Sequence, residues 1–514
     1  MRERCSSSSM RAWAVAALFL VSMFCSLPLL AQSSEDTIRL GYSADIITLD
    51  MPLTTQVPDY PLAMNLFDGL VRYRQGADVT VLELEPDLAE SYDVTPDGLV
   101  YTFKLRRGVQ FQKGYGEMTA EDVKYSFERV LNPDFKCPER SAMAVVSAIE
   151  TPDPYTVKIT LKTPSAGFLR GVLAYRAGYI VSKKAAEEKG WKPFGLDPIG
   201  TGPYMFASRV AGESLTLVAF EGYWRGSPRI KKVVMTVIPD EMTSALALAS
   251  GKLDMMINRL PAATAFLKTQ PTVNLTITPG ENRGLVVNTQ HIPNVKVRQA
   301  LVYAMDPQAI VNSVMMGLGQ PVLQTPISPA TFGYTTDLPK YSYDPAKARQ
   351  LLTEAGYKKG EKTYSIAVRS YDAPWVEAIA GQWRDVGFDV ALNVLETGAF
   401  NAIRPTENWD FLATIPTRPD ATLVFPYFEP NNIPNPNFSR YTGVGAIQAE
   451  YQKQLDVTLQ LEFLKLWQQQ IAADLPYIYS IDGTRVTVTT LKLKGDSPNT
   501  HYWLTLFYPM YYEK

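Results

Sequence analysis

Few side chains of this sequence belong to the types that usually perform catalysis or bind metal ions. The histidines are His291 and His501, and Cys137 is the only cysteine beyond the apolar N-terminal stretch. These residues lack the spacing of a zinc site, and no nucleophile-elbow, Walker A or dinucleotide-binding motif is present. The sequence therefore predicts no metal, no cofactor and no enzyme, with Cys137 as a buried or semi-buried structural thiol. A hydrolase with a histidine base is the alternative from another class.

The composition is that of an ordinary globular protein. The 514 residues are 46% apolar, and the formal net charge is −2 with both signs scattered along the chain. No basic run is present, so the chain has no electric field that would attract nucleic acid or an anionic membrane. The length corresponds to about three domain-sized units, which can bury a large core without disulfides.

Residues 1–31 have the layout of a secretory signal peptide. Arginines precede an uncharged run from Ala12 to Leu30, and polar residues follow Ala31. We expect cleavage after Ala31 and a soluble protein in the periplasm. The alternative is an uncleaved membrane anchor, because the run is just long enough to span a bilayer. Lipid attachment at Cys25 is disfavoured by Phe24, which stands where a small residue is needed.

Beyond this segment, short β-rich runs alternate with amphipathic helical patterns, and this alternation predicts α/β domains. The predicted strands are Thr37 to Tyr42, Tyr101 to Leu105, Thr156 to Leu161, Ser214 to Phe220, Lys232 to Ile238, Gly284 to Asn288, Tyr364 to Val368 and Phe388 to Val394.

Helix starts are indicated by capping residues. Thr119 begins a sequence that resembles a capping box, and Asp306 and Asp344 each precede a proline that suits the first helical position. A long helix is predicted over roughly Ala449 to Ala472, with the side chains of Leu455, Leu459, Trp467 and Ile471 directed inward.

Several motifs carry a resemblance to a known family. In chain order they are Asn65–Val71, Pro86–Tyr92, Thr95–Phe111, Met118–Phe127, Gly200–Tyr204, Val297–Leu301 with Ala304–Asp306, and Asp344–Leu352 with Ala355–Tyr357. This ordered set closely resembles the family 5 extracellular solute-binding proteins, the peptide- and nickel-binding class of ATP-driven importers. The motifs cover most of the chain beyond the signal segment.

The resemblance implies an α/β, two-lobed periplasmic binding protein fold of class II type, with the ligand in the cleft between the lobes. Lobe I is expected to comprise residues 32–284 and the C-terminal segment 485–514, with an extra subdomain over about 73–195. Lobe II is expected to comprise residues 285–484. Such proteins close around ligand by a hinge motion, and the importer recognises the closed form.

The resemblance also suggests residues that contact the ligand. Family members that bind peptides commonly hold the terminal amine with an aspartate after a buried strand of lobe II, and Asp420 best matches that position. Arg418 lies beside it, as in a subset of the family with varied ligands. Ile415-Pro416 replaces the Gly-Trp of many members, so the usual aromatic wall is missing. The alternative role for Asp420 is a loop cap.

Arg369, Tyr371, Tyr60 and Asn288 complete the expected ligand contacts. Arg369 and Tyr371 follow a predicted strand, and Arg369 could bind a carboxylate through paired hydrogen bonds. Tyr60 could present a flat apolar face with a polar tip. Asn288 ends a strand near the expected hinge. Each has a structural alternative, such as a solvated loop arginine or a strand cap.

Together these observations predict a periplasmic substrate-binding component of an ABC transporter. It is expected to act as a monomer, to capture short peptides or a similar small solute, and to deliver them to an ABC permease at the inner membrane. An oligosaccharide, an opine or a metal chelate is the alternative ligand, although two histidines disfavour nickel. A periplasmic hydrolase and a chaperone-like receptor are the alternatives of other classes.

Overall fold

The computed structural model describes residues 36–54, 59–74, 83–258, 260–322, 324–329, 331–414, 418, 420–496 and 505–513. The predicted signal segment, Ile415-Pro416 and His501 lie outside these ranges. Within them, no helix is long and apolar enough to cross a membrane.

Strands and helices alternate along the chain, as predicted. The strands are β1 (Thr37–Tyr42), β2 (Val71–Tyr73), β3 (Leu84–Pro86), β4 (Ala89–Val94), β5 (Val100–Leu105), β6 (Val146–Asp153), β7 (Thr156–Leu161), β8 (Tyr204–Val210), β9 (Ser214–Ala219), β10 (Lys232–Val237), β11 (Met255–Asn258), β12 (Val273–Val287), β13 (Gln320–Pro321), β14 (Tyr364–Arg369), β15 (Val390–Leu395), β16 (Phe411–Thr414), β17 (Tyr477–Thr490), β18 (Leu493–Lys494) and β19 (Tyr511–Tyr512).

The α-helices are mostly short and lie between these strands. They are α1 (Asp59–Ala63), α2 (Ala120–Leu131), α3 (Arg140–Met143), α4 (Lys183–Lys189), α5 (Trp191–Phe194), α6 (Glu241–Ala249), α7 (Pro261–Lys268), α8 (Val295–Tyr303), α9 (Pro307–Ser313), α10 (Pro345–Glu354), α11 (Ala373–Asp385), α12 (Thr397–Ile403), α13 (Gly445–Gln452) and α14 (Val457–Asp474). A π-helix covers Phe168–Leu173.

One 11-stranded sheet runs through the molecule in the order β15-β14-β16-β12-β17-β11-β1-β10-β9-β8, with β13 attached to β17. β14 is parallel to β15 and β16, whereas β12 and β17 are antiparallel to each other. The register of the β12–β17 pair shifts between Pro279 and Glu281 and again between Arg283 and Gly284. Such irregularities interrupt the pairing locally and bend the strands. β12 and β17 lie in the middle of the strand order, so they connect the two ends of the sheet.

Separate apolar cores lie on either side of this connection. One core draws its residues mainly from between Ile38 and Met255, together with Leu493, Phe507 and Met510 from the end of the chain. Two further cores lie between Leu285 and Ile481. We call residues 36–278 with 486–513 the N-terminal body and residues 284–481 the C-terminal body. The lobe boundaries predicted above remain predictions.

A second, antiparallel sheet of four strands lies within the N-terminal body in the order β4-β5-β7-β6. A hairpin turn joins β4 to β5, and Gly98 adopts a positive φ of 68° there. Cys137 is buried, as predicted. The limits of the expected subdomain, residues 73–195, remain a prediction.

Local signals placed most helix starts correctly, but one predicted helix is wrong. Thr119 forms the capping box, and Asp306 and Asp344 cap the helices that follow them. The helix expected over Ala449 to Ala472 is instead divided into α13 and α14. The side chain of Asp456 accepts hydrogen bonds from the first backbone N–H groups of α14, so a new helix begins there.

The division of this helix also corrects the predicted side-chain directions. Leu455 and Leu459, which were expected to point inward, are exposed, whereas Trp467 and Ile471 are fully buried as predicted. The predicted strand Gly284 to Asn288 likewise proves to be only the end of β12, which begins at Val273.

Asp68 is a buried carboxylate of the N-terminal body with an unusual environment. It accepts hydrogen bonds from Thr201 Oγ1 at 2.9 Å, Tyr223 OH at 3.1 Å and Trp224 Nε1 at 3.0 Å. Burial, reinforced by the charge of Asp87, raises the pKa of Asp68 to about 7. In the unfolded chain an aspartate has a pKa of about 3.9.

We expect the Asp68→Asn variant to lose part of the pH dependence of stability. The folded state binds more protons than the unfolded state between about pH 4 and pH 7. The contribution of Asp68 is therefore complete below about pH 4 and is lost as the pH rises through about 7. Thermal unfolding across this range checks the prediction, with the exposed Asp93→Asn as control. Identical profiles for the two variants would contradict it.

Candidate ligand-binding cleft

Three arginines lie at one edge of the sheet in the C-terminal body. Arg369 is the last residue of β14, Arg404 follows α12, which itself comes after β15, and Arg418 lies shortly beyond β16. Because β14, β15 and β16 are parallel, their carboxyl ends meet at this edge. In open α/β sheets this is where ligands bind. Topology alone therefore brings the three arginines together at a favourable place.

Aromatic rings hold two of these arginines close together. The guanidinium carbon of Arg369 lies 4.5 Å from the centroid of the Phe400 ring. Arg404 is one helical turn beyond Phe400, whose carbonyl accepts the Arg404 backbone N–H, and its guanidinium lies 4.4 Å from the Phe438 ring centroid. Residues four positions apart share a helix face, so Arg369 and Arg404 are neighbours.

The electrostatic environment of Arg404 is unfavourable for its charge. Burial lowers the pKa of Arg404, and the charges of Arg369 and Arg418 lower it further, against the opposing effects of Tyr427 and Tyr477. Arginine remains protonated in proteins, so the lowered pKa reports the cost of holding the charge there. Within the described part of the chain, no carboxylate forms an ion pair with Arg404.

Arg369 shares its counter-charge with a second arginine. Its Nε lies 3.6 Å from Asp372 Oδ2, while Arg283 Nη1 lies 3.5 Å from Asp372 Oδ1. Trp375 Nε1 also donates to Asp372, at 3.1 Å. Asp372 is 1% exposed, and its carboxylate interacts with the guanidinium groups of both Arg369 and Arg283.

The N-terminal body places a further arginine opposite this edge. Arg176 donates from Nη1 to the hydroxyl of Tyr60 at 3.0 Å and to the carbonyl of Thr54, and its Nη2 pairs with Glu139. Its guanidinium also lies 4.9 Å from the Tyr175 ring centroid. Arg176 is therefore neutralised and held in place by its own body.

Arg418 faces this cluster from the C-terminal body. It donates to the hydroxyl of Tyr427 at 2.5 Å. Burial lowers the pKa of Arg418, but Tyr427, together with Tyr175 and Glu139 of the N-terminal body, outweighs burial and holds that pKa above its ordinary value. The two bodies thus come within electrostatic range of each other here, with Arg418 and Tyr427 on one side and Tyr175 and Glu139 on the other. We call the space between these two sides the cleft.

The two bodies touch directly beside this cleft, at Asp420. One carboxylate oxygen accepts hydrogen bonds from the backbone N–H and the hydroxyl of Thr422, the N–H at 2.9 Å. The other oxygen lies 3.6 Å from Arg170 Nη1 of the N-terminal body. The Arg170 guanidinium also lies 3.8 Å from the Phe332 ring centroid. Asp420 is 1% exposed, and the Oδ2 atom that faces Arg170 has no hydrogen-bond partner in the described part of the structure.

Next to this contact, a groove of about 360 Å³ is lined by residues of both bodies, among them Ser165, Gly167, Thr422 and Pro426. The backbone N–H of Ala166 donates to the carbonyl of Gln452 at 3.2 Å. The structure therefore shows the two bodies in contact along the segments that follow β7 and β16.

Three of the six predicted ligand contacts lie along this boundary: Asp420, Arg418 and Tyr60. Arg369 contacts Asp372, Tyr371 and Phe400 within the C-terminal body. Tyr371 is 51% exposed, with its ring centroid 5.2 Å from the Arg369 guanidinium. Asn288 is fully buried and its carboxamide serves the backbone, donating to the carbonyl of Trp409 at 3.4 Å. Ligand contact remains a prediction for all six residues.

Sequence reasoning missed the partners that define the electrostatics of the cleft. These are Arg170, Arg176, Glu139, Arg404 and Tyr427. None belongs to a motif, and their only signal is a charged residue or a tyrosine in a connecting segment, which many surface residues share.

Among the described residues, His291 is not placed as the base of a hydrolytic site. Its Nδ1 lies 3.0 Å from Asp410 Oδ1, and the same oxygen accepts from Lys362 Nζ at 2.7 Å. The hydroxyl of Ser365 donates to Asp410 at 3.2 Å. In a serine hydrolase this hydroxyl would instead donate to the histidine base. Ser365 also lies near the start of β14, at the opposite edge from the arginines.

Comparison with known proteins agrees with this architecture. The sequence profile of the bacterial extracellular solute-binding proteins, family 5, middle region, matches residues 83–433. The chain belongs to this family. The two-lobed α/β periplasmic binding protein fold predicted from the motifs is confirmed as well.

Individual relatives of this family 5 protein have different ligands in their names. The chain is 35% identical over 323 residues to heme-binding protein A of Haemophilus influenzae, covering 59% of this chain and 58% of that protein. It is 33% identical over 353 residues to a glutathione-binding protein of Salmonella choleraesuis, covering 68% and 66%. The matched part thus spans less than two thirds of either relative.

Among solved structures, the periplasmic binding protein DppA of Helicobacter pylori in complex with the peptide STSA superposes with a TM-score of 0.81. The sequence identity is 27%, and the superposition covers 93% of this chain and 98% of that one.

Proposed function

We propose that this family 5 protein is the periplasmic substrate-binding component of an ABC importer. It captures a short peptide or a similar small solute between its two bodies and delivers it unchanged to an inner-membrane permease. The observation that carries the proposal is the cleft in which Arg418 and Tyr427 face Tyr175 and Arg176. A ligand that contacts both walls stabilises the closed arrangement and shifts the population towards it.

The β12–β17 pair supplies the hinge of this mechanism. Its register shifts near Pro279 and Gly284 leave a short stretch of irregular pairing between the two cores. Bending at a few residues between rigid cores is the usual way in which two bodies close around a ligand. The lobe boundaries near residues 284 and 485 follow from the same proposal.

The remaining parts of the proposal rest on the sequence and the relatives. Export follows from residues 1–31, and a monomer suffices because both walls of the cleft belong to one chain. The relatives named for heme, for glutathione and for a bound peptide support a small solute as cargo. No catalytic role is proposed, since the side chains of His291 and Ser365 each form a hydrogen bond with Asp410.

Thermal unfolding of the protein without residues 1–31 tests this role. Mixed di- to pentapeptides, glutathione and heme are added separately, and a true ligand at a hundred times its Kd stabilises the fold by about 2.7 kcal/mol. We expect at least one addition to raise the Tm and the compound to be recovered chemically unchanged by mass spectrometry. Recovery of a cleaved product, lost in a His291→Ala variant, would indicate a hydrolase instead.

A further inference from the structure

We infer that the cleft binds an acidic solute bearing at least two oxyanion groups, such as carboxylates. This inference rests on the proposed binding function and narrows its ligand class. It follows from the charged side chains that have no ion-pair partner among the described residues, or share one, when the two bodies are in contact.

Arg404 is the first of these charges. It is half-buried, lies on the Phe438 ring beside Arg369, and has no ion-pair partner among the described residues. A buried charge without a partner is costly, and natural proteins keep such groups mainly where something binds them. The fork of a guanidinium matches the two oxygens of a carboxylate.

Arg369 provides a second position for an oxyanion. It shares the carboxylate of Asp372, which lies 3.6 Å from its Nε, with Arg283 at 3.5 Å. The planar face of Arg369 is covered by Phe400, which leaves its edge to make hydrogen bonds. Two neighbouring guanidinium groups, one held on Phe400 and one on Phe438, therefore suit two oxyanions of one ligand.

Buried tyrosines add hydrogen-bond donors at the same place. Tyr477 and Tyr479 are almost completely buried, and in the described part of the structure neither hydroxyl has a hydrogen-bond partner. Their rings stack with centroids 5.8 Å apart. The charges of Arg404 and Arg418 lower the pKa of Tyr477 against the larger effect of its burial, so its hydroxyl lies within electrostatic range of both arginines. Buried polar groups normally find a partner, and an anionic ligand accepts from a hydroxyl as well as from a guanidinium.

Each carboxylate on the acidic side of the cleft, by contrast, faces an arginine of its own. Arg170 lies 3.6 Å from Asp420, which also accepts hydrogen bonds from Thr422, and Arg176 pairs with Glu139. A ligand ammonium group would have to displace a guanidinium from either carboxylate. The unmatched charge of the cleft is thus positive, so the solute that complements it is negative.

The experiment separates ligands by charge without assuming their identity. A small-molecule extract of bacterial cells is divided on an anion-exchange resin into a retained pool and a flow-through pool. Each pool is titrated into the native protein, Arg404→Gln and Arg349→Gln, with the Tm as readout. Arg349 is an exposed arginine of α10 in the same body, so its variant has the same net charge as Arg404→Gln.

We expect only the retained pool to stabilise the native protein. Arg404→Gln should need about ten- to a hundredfold more of that pool for the same shift, because it loses a charge-assisted hydrogen bond. Arg349→Gln should behave like the native protein, and Arg404→Lys should lie between native and Arg404→Gln because it keeps the charge without the fork. The unloaded Arg404→Gln protein should be as stable as the native one, since it removes an unmatched buried charge.

Other results would overturn the inference. Stabilisation by the flow-through pool alone would show that the solute is not acidic, while the binding function would stand. Equal response of native protein and both Arg404 variants to the retained pool would show that Arg404 takes no part. If neither pool stabilised the native protein, the proposed binding function itself would fail.

Discussion

Replacing Gly167 with alanine is expected to weaken ligand binding by about 5- to 150-fold while the N-terminal body stays folded. A Cβ atom at Gly167 would lie 2.3 Å from Thr422 Oγ1 and 2.6 Å from Thr422 Cβ of the other body. Rotation of Thr422 cannot relieve contact with its own Cβ, so the backbones must separate. The φ of Gly167 is −91°, which alanine adopts without strain.

The effect should therefore fall on closure rather than on folding. Titration of a stabilising ligand pool into the variant measures the loss of affinity. Gly381→Ala is the matched control, because no atom lies within 4 Å of a Cβ built there. A double variant, Gly167→Ala with Thr422→Gly, should regain much of the affinity. Native affinity in Gly167→Ala alone would show that the ligand-bound form does not use this contact.

Replacing Arg129 with methionine is expected to lower the free energy of unfolding by about 3–5 kcal/mol. Arg129 Nη1 and Nη2 each donate to Asp50 at 2.9 Å, and both side chains are almost completely buried. Arg129 also lies on the Phe135 ring, 4.5 Å from its centroid. Burial already raises the pKa of Asp50, against the opposing effect of Arg129. Without the guanidinium, Asp50 would be a buried charge with nothing to offset its desolvation.

Urea unfolding of the variant measures this loss. The deficit should shrink as the pH falls, because the isolated carboxyl group can then take up a proton. A double variant, Arg129→Met with Asp50→Asn, should recover a large part of the stability, since no uncompensated charge remains. If Arg129→Met were no less stable than the exposed Arg349→Gln variant, the pair would not support the fold.

Features that depend on a few neighbouring residues were predictable from the sequence. The caps at Thr119, Asp306 and Asp344 were placed correctly because a capping side chain reaches backbone N–H groups only two or three positions away. The strands Thr37 to Tyr42 and Thr156 to Leu161 match β1 and β7, since alternating burial is visible in a short window.

The same reasoning failed where a local signal was overlooked or a remote partner decided the outcome. Asp456 is a capping residue, but the apolar periodicity around it suggested one continuous helix over Ala449 to Ala472. β12 begins at Val273, well before the predicted Gly284, because its first half is held by pairing with β17, about 200 residues later.

By itself, the sequence determined the family, through the resemblance of its ordered motifs. It also determined the α/β class and most helix starts, because these depend on periodicity and short-range capping. Only the tertiary structure decided the character of the cleft. It brought Arg170 to Asp420 and Arg176 to Glu139, and it left Arg404 without a counter-charge among the described residues. The physical reason is that the charge available to a ligand depends on which groups are already paired and buried. Those pairings join segments that are distant in the chain and meet only when both bodies have folded.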